Sequence, residues 1–195
     1  MWNVRRWNRR SLLKRKTLIN TLTAIMTETD TRAKLWETVA TATRFCIAVE
    51  NAREADKGEF IAEMLGCLPR IYLNFTETGT DGTDEIAYLS TFVDEDYYES
   101  IRRGIESLLG PDDTYLETFE EDMKYSETPI AASVAESLAD IFQDLFNFVG
   151  NVKESDGEAL IQAFAECKDN FDAHWSQTLC NVMRPLNQLR LGSAE

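Results

Sequence analysis

Glu136, Asp140 and Asp144 recur at intervals of four residues, a spacing that stacks three carboxylates along one face of a helix. Like charges so placed repel by roughly a few tenths of a kcal/mol per pair in an exposed helix. A divalent cation or an opposing basic group reverses that cost. A second acidic group, Glu117, Glu120, Glu121 and Asp122, lies just upstream. Brought face to face, Glu120, Glu121, Glu136, Asp140 and Asp144 would offer Mg2+ the hard oxygen ligands it requires. The competing expectation is a solvated acidic face answered by Lys and Arg from neighbouring helices.

Other chemistry is harder to assemble from these residues. Cys46, Cys67, Cys167 and Cys180 lack CxxC spacing and mostly share helical faces with apolar neighbours, so they read as small buried hydrophobes of a reducing, cytoplasmic protein. The single histidine, His174, follows Cys167 by seven residues, but zinc asks for four ligands and a nucleophilic thiol for an adjacent base. Gly79 and Gly82 stand among acidic residues that repel phosphate, which excludes a glycine-rich nucleotide loop. No catalytic residue is assigned. Among the aromatics, Tyr97 and Tyr98 are adjacent, so a helix cannot turn both fully inward, and Trp36 and Trp175 fall at the edges of apolar stripes. Packing in the core or at its boundary is the first expectation for these four, and anchoring a partner on the acidic surface is the functional alternative.

The elements that must position these groups are helices. The 195 residues, 44% of them hydrophobic, suit one domain able to bury most of its surface in a single core. From Thr31 the apolar positions Leu35, Val39, Ala42, Phe45, Cys46 and Val49 step by threes and fours, which predicts a helix over 32–53. Phe60 to Phe75 repeats the pattern across Pro69, where a kink or break is expected. Thr76 to Glu85 reads as a loop, Asp94 as the N-cap of a helix stopped by Gly110 and Pro111, and 113–124 as a short helix. Thr128 and Pro129 predict the start of a helix over 129–150 that carries Leu138, Ile141, Phe142, Leu145 and Phe148 on one face. Ser155 with Glu158 has the form of a capping box opening a last helix, which Pro185 would kink or end. Only Leu89 to Val93 is ambiguous between strand and loop. The expectation is an all-α fold, a single compact bundle of five or six helices with short connections.

Charge divides the chain unevenly. Residues 1–25 hold seven basic side chains and no acidic one, which leaves 13 basic against 34 acidic over residues 26–195. The expected organisation is a basic N-terminal extension over 1–25, with Met26 as an alternative start, and one helical domain over 26–195. A formal charge of −14 argues against nucleic-acid binding through the main domain. No stretch approaches the roughly 20 apolar residues of a membrane span.

The run YLETFEEDMKYSETPIAASVAESLADIFQDLFNF, from Tyr115 to Phe148, resembles the bacterial family called domain of unknown function 5063. The likeness extends to the Trp36 to Val49 helix, the Leu65 to Leu73 stretch around Pro69 and the Asn170 to Asn181 stretch, about residues 32–190 in all. It implies a compact helical domain and carries no catalytic role to any residue. The acidic runs also bear comparison with the all-helical nucleoside-triphosphate pyrophosphohydrolases, whose pattern pairs EExxE with a later ExxD. Here Lys124 stands in place of the third Glu, and Glu136 and Asp140 are separated by three residues instead of two. The functional expectation is therefore a protein-interaction module of adaptor or regulatory type that needs no cofactor and uses its acidic surface to take a basic partner. A Mg2+-dependent phosphohydrolase is the alternative.

Overall fold

The structure is a computed structural model that describes residues 9–79, 88–117 and 130–192, with side chains from Asp30 onward within those ranges. Six α-helices are present among them: α1 (Arg9–Glu50), α2 (Lys57–Glu77), α3 (Glu95–Leu109), α4 (Val134–Glu154), α5 (Leu160–Asn170) and α6 (Ser176–Gly192). A π-turn, Phe171–Trp175, joins α5 to α6. The all-α expectation holds, with one addition. Thr114–Leu116 (β1) and Ala131–Ser133 (β2) pair antiparallel, with Tyr115 opposite Ala132, as a small ribbon.

Helix α4 lies at the centre and packs against α1, α3, α5 and α6. Its burial follows from the sequence: Val134, Leu138, Ile141, Phe142, Leu145, Phe148 and Val152 are all inside, and nearly every turn delivers two apolar side chains to the core. Two acceptors fix its start. Ser133 Oγ accepts from the Glu136 amide at 3.1 Å. The buried Asp113 carboxylate takes the Ala135 amide at 2.7 Å and the Ser133 hydroxyl at 2.6 Å. Donors that a helix start leaves unpaired are thereby satisfied, and a negative charge meets the positive end of the helix dipole.

Several boundaries differ from expectation. Helix α1 begins at Arg9, more than twenty residues before the predicted start, so its backbone runs unbroken out of the basic segment. Helices α2 and α6 continue through Pro69 and Pro185, because buried residues on either side of each proline hold the helix to the core against the loss of one backbone bond. Residues 114–116 are strand, not helix, and α4 starts at Val134, since β2 occupies the residues just before it. Thr76 and Glu77 belong to α2 and not to the loop expected over Thr76 to Glu85, while residues 80–85 of that loop, 118–124 of the expected helix and the Thr128–Pro129 cap lie outside the described residues. The expected capping box does not form: Ser155 is the C-cap of α4, and α5 opens only at Leu160 after Ala159, although Ser155 Oγ accepts from the Ala159 amide at 3.0 Å across the turn. That turn contains Gly157 at φ +86°, a conformation that favours glycine.

Helix α4 also passes Gly150, where it was expected to end, and stops at Glu154. Glycine is there because the Phe92 ring rests on the helix: a Cβ would stand 2.6 Å from two of its ring carbons. Gly150→Ala should therefore destabilise the protein by about 1–2 kcal/mol net, the clash outweighing the roughly 1 kcal/mol that Ala contributes at an open helical position. Urea unfolding reads the sign, and a stabilised variant would mean that Phe92 does not lie there.

Candidate functional site

The polar stripe of α4 begins with Glu136, Asp140 and Asp144 as the spacing requires, and continues through Asn147 and Asn151. Each group below Glu136 is held by a neighbour from another element. Tyr98 on α3 donates its hydroxyl to Asp140 Oδ1 at 2.7 Å. Asn170 at the end of α5 donates its amide to Asp144 Oδ1 at 2.9 Å. The Phe92 amide donates to Asn147 Oδ1 at 2.7 Å. Asn151 binds both backbone groups of Ser90, accepting from its N–H at 2.8 Å and donating to its carbonyl at 2.9 Å. The segment 88–93, which includes the ambiguous run Leu89 to Val93, is irregular and is laid along α4 by asparagine side chains that satisfy its backbone groups.

The two aspartates keep their charge uncancelled. Neither forms an ion pair among the described residues, whereas Glu63 pairs with Arg44, Asp112 with Lys57, Glu99 and Glu106 with Arg102, and Asp172 with Lys168. Burial pushes Asp140 above the usual carboxylate range, partly opposed by the Tyr98 hydrogen bond. Burial does the same to Asp144; the bond from Asn170 and the nearby His174 oppose it, and Asp140 and Glu166 reinforce it. The folded state thus binds protons more tightly at these sites than the unfolded chain. From these two groups stability falls as pH rises from the ordinary carboxylate value through the raised one. Asp144→Asn should accordingly melt higher than the parent at pH 7, the gain shrinking as pH falls through the raised value and the aspartate takes up its proton. Melting curves across that range check it; an equal or lower melting point at pH 7 would contradict the burial argument.

The expected anchors fare differently. Tyr97 is half-buried, its ring edge-on to Phe142 and Phe146 and its hydroxyl 2.5 Å from Glu50. Tyr98 is half-buried on Asp140. In both tyrosines burial and the carboxylate partner push the phenol up, so it stays a donor. Trp36 is 43% exposed and lies against the Gly157 turn. Trp175 is corrected: it is 2% exposed, edge-on to Phe75 and Phe171, with its indole N–H lacking an acceptor among the described residues. It is a core residue and not a surface anchor: it stands four residues from both Phe171 and Leu179, on the same buried face.

Among the described residues no three His, Cys, Asp or Glu side chains converge as a metal site. A rise of about 6 Å for every four helical residues strings Glu136, Asp140 and Asp144 along α4. Glu120 and Glu121, the other part of the expected Mg2+ set, lie outside the described residues. Cys46, Cys67 and Cys167 are buried and Cys180 is exposed. Desolvation lifts all four thiols, Cys67 to about 11, which keeps them protonated and poorly nucleophilic. Sequence reasoning missed Asp113, Asn147 and Asn151. The i, i+4 asparagine pair is visible in the sequence, but nothing local marks the segment it holds.

The family model described as domain of unknown function (DUF5063) matches residues 29–191. Among solved structures, the crystal structure of protein BF1032 from Bacteroides fragilis is similar, with a TM-score of 0.70 at 29% identity over 80% of this chain and 92% of that one. No curated protein matches. With the family model running from the middle of α1 almost to the end of α6, the chain belongs to the DUF5063 family.

Proposed function

We propose that this protein is an interaction module, an adaptor or regulator working in the reducing cytoplasm, whose acidic α4 stripe receives a basic protein partner. The observation that carries the reading is the treatment of Asp140 and Asp144. Both are oriented by neutral donors, Tyr98 and Asn170, and neither is neutralised by a cation among the described residues. A hydrogen bond from a tyrosine or an amide fixes a carboxylate in place without removing its charge, which leaves an attractive field for an incoming cation. No helix among the described residues is long and apolar enough to cross a membrane, in keeping with a partner met in solution.

A fluorescently labelled nonapeptide of mixed Lys and Arg tests this by anisotropy at two ionic strengths. Binding should weaken as salt rises, and the Asp140→Asn/Asp144→Asn double variant should lose about three- to tenfold in affinity, as expected for two partly exposed charge pairs. Equal affinity of parent and double variant would refute the reading, as would equally tight binding of an acidic peptide.

A further inference from the structure

Between α4, α5 and the 88–93 segment lies a cleft of about 70 Å3, lined in part by Ser90, Asp144, Asn147, Glu166, Cys167 and Asn170. We propose that it seats a single guanidinium group, the side chain of an arginine in the basic partner; the inference rests on the interaction reading and names the residue recognised. No Lys or Arg lines the cleft, although two carboxylates do. Asp144 spends one oxygen on the Asn170 amide nitrogen, and its second oxygen makes no further hydrogen bond among the described residues. Glu166 is exposed at the rim and makes no hydrogen bond or ion pair among the described residues. The Asn170 side chain, having donated its nitrogen to Asp144, keeps its carbonyl oxygen as an acceptor. The Cys167 thiol is directed to the Asp144 backbone carbonyl and offers no charge. The walls are thus rich in acceptors and contain no cation, so they suit a ligand that only donates.

Size and hydration choose among such ligands. At roughly 10–15 Å3 for each water, the cleft holds about five waters, the bulk of a planar guanidinium and little more. Guanidinium gives up its hydration more readily than ammonium and presents five N–H donors in a fixed fork, which matches carboxylates better than a point charge does. The raised affinity of Asp144 for protons points the same way, since burial disfavours its charge and a bound cation would restore it.

The test uses the full chain and two nonapeptides alike except that a central Arg in one is Lys in the other, read by anisotropy, with methylguanidinium as the small probe. The Arg peptide should bind at least threefold tighter, methylguanidinium should compete with it, and Glu166→Gln should erase the preference while leaving the melting point unchanged, since Glu166 makes no bond that the fold needs. Asp144→Asn, which keeps the Asn170 contact, should erase it too. Equal binding of the two peptides, with Glu166→Gln without effect and the Asp140→Asn/Asp144→Asn loss intact, would overturn the arginine seat and leave the acidic stripe standing. Amide NMR shifts at Asp144 and Glu166 caused by methylguanidinium, with no preference between peptides, would give the cleft to a free small cation and also overturn it. Failure of both peptides to bind would remove the interaction reading itself.

Discussion

Phe75→Ala should lower stability by about 3–5 kcal/mol, the range for truncating a buried aromatic, and so reduce the melting temperature by about 10 °C for a chain of this length. Phe75 is the ring on which the C-terminal half of the core converges. It stands 5.1 Å from Phe164, 5.2 Å from both Phe171 and Trp175, and 6.5 Å from Phe148. Those rings belong to α4, α5 and the π-turn, so the cavity left by truncation would open where three elements meet, and none can close it without moving against the others. Thermal and urea unfolding followed by helical circular dichroism give the loss. Ile47→Ala, at a 54%-exposed position on α1, supplies the comparison and should change stability by less than about 0.5 kcal/mol. A loss below about 1 kcal/mol at Phe75 would mean that the cluster is not packed as described.

The same cluster shows what was legible in the sequence and what was not. Spacing by threes and fours places Phe75 and Phe148 on apolar faces, because burial of a stripe is a local property of a helix. Trp175, four residues from both Phe171 and Leu179, goes to the core by the same spacing, and its reading as an anchor rests on its large amphipathic ring and not on its position. The start of α4 depends on contacts that are distant in sequence. Two signals compete, Thr128–Pro129 and the sequence Ser133-Val134-Ala135-Glu136, and the second wins because the preceding residues pair with β1 and Asp113 reinforces the cap. Strands of three residues are too short to display an alternation of period two.

The site divides along the same line. The stacking of Asp140 and Asp144 follows from their spacing, whereas their partners stand 42 and 26 residues away in sequence and are set by how α3 and α5 pack on α4. The sequence expectation of basic groups opposite these acids was reasonable from composition. In the folded protein the arginines are used elsewhere, Arg44 on Glu63 and Arg102 on Glu99 and Glu106, and neutral donors take their place along the stripe.

Asn151→Ala should cost about 2–4 kcal/mol, more than a polar-to-alanine change on a helix surface usually does. Asn151 is 9% exposed and makes three bonds, two to Ser90 and one from its amide nitrogen to the Asn147 carbonyl at 2.8 Å. Without it, the Ser90 N–H and carbonyl lose their partners while Val93 and Phe92 still hold the segment against α4, so both groups stay poorly solvated. Amide hydrogen exchange should accelerate at Ser90 well beyond the global loss, because the damage is local to 88–93. Asn147→Ala releases only the Phe92 amide and should cost less, about 1–2 kcal/mol. The pair then becomes diagnostic. If both asparagines clamp one segment, releasing either loosens the other's partner, and the double variant should cost less than the sum of the two by at least about 0.5 kcal/mol. Strict additivity, with Ser90 exchange unchanged, would show that the segment is held on α4 by its apolar contacts and that the asparagines contribute only as helix-surface residues.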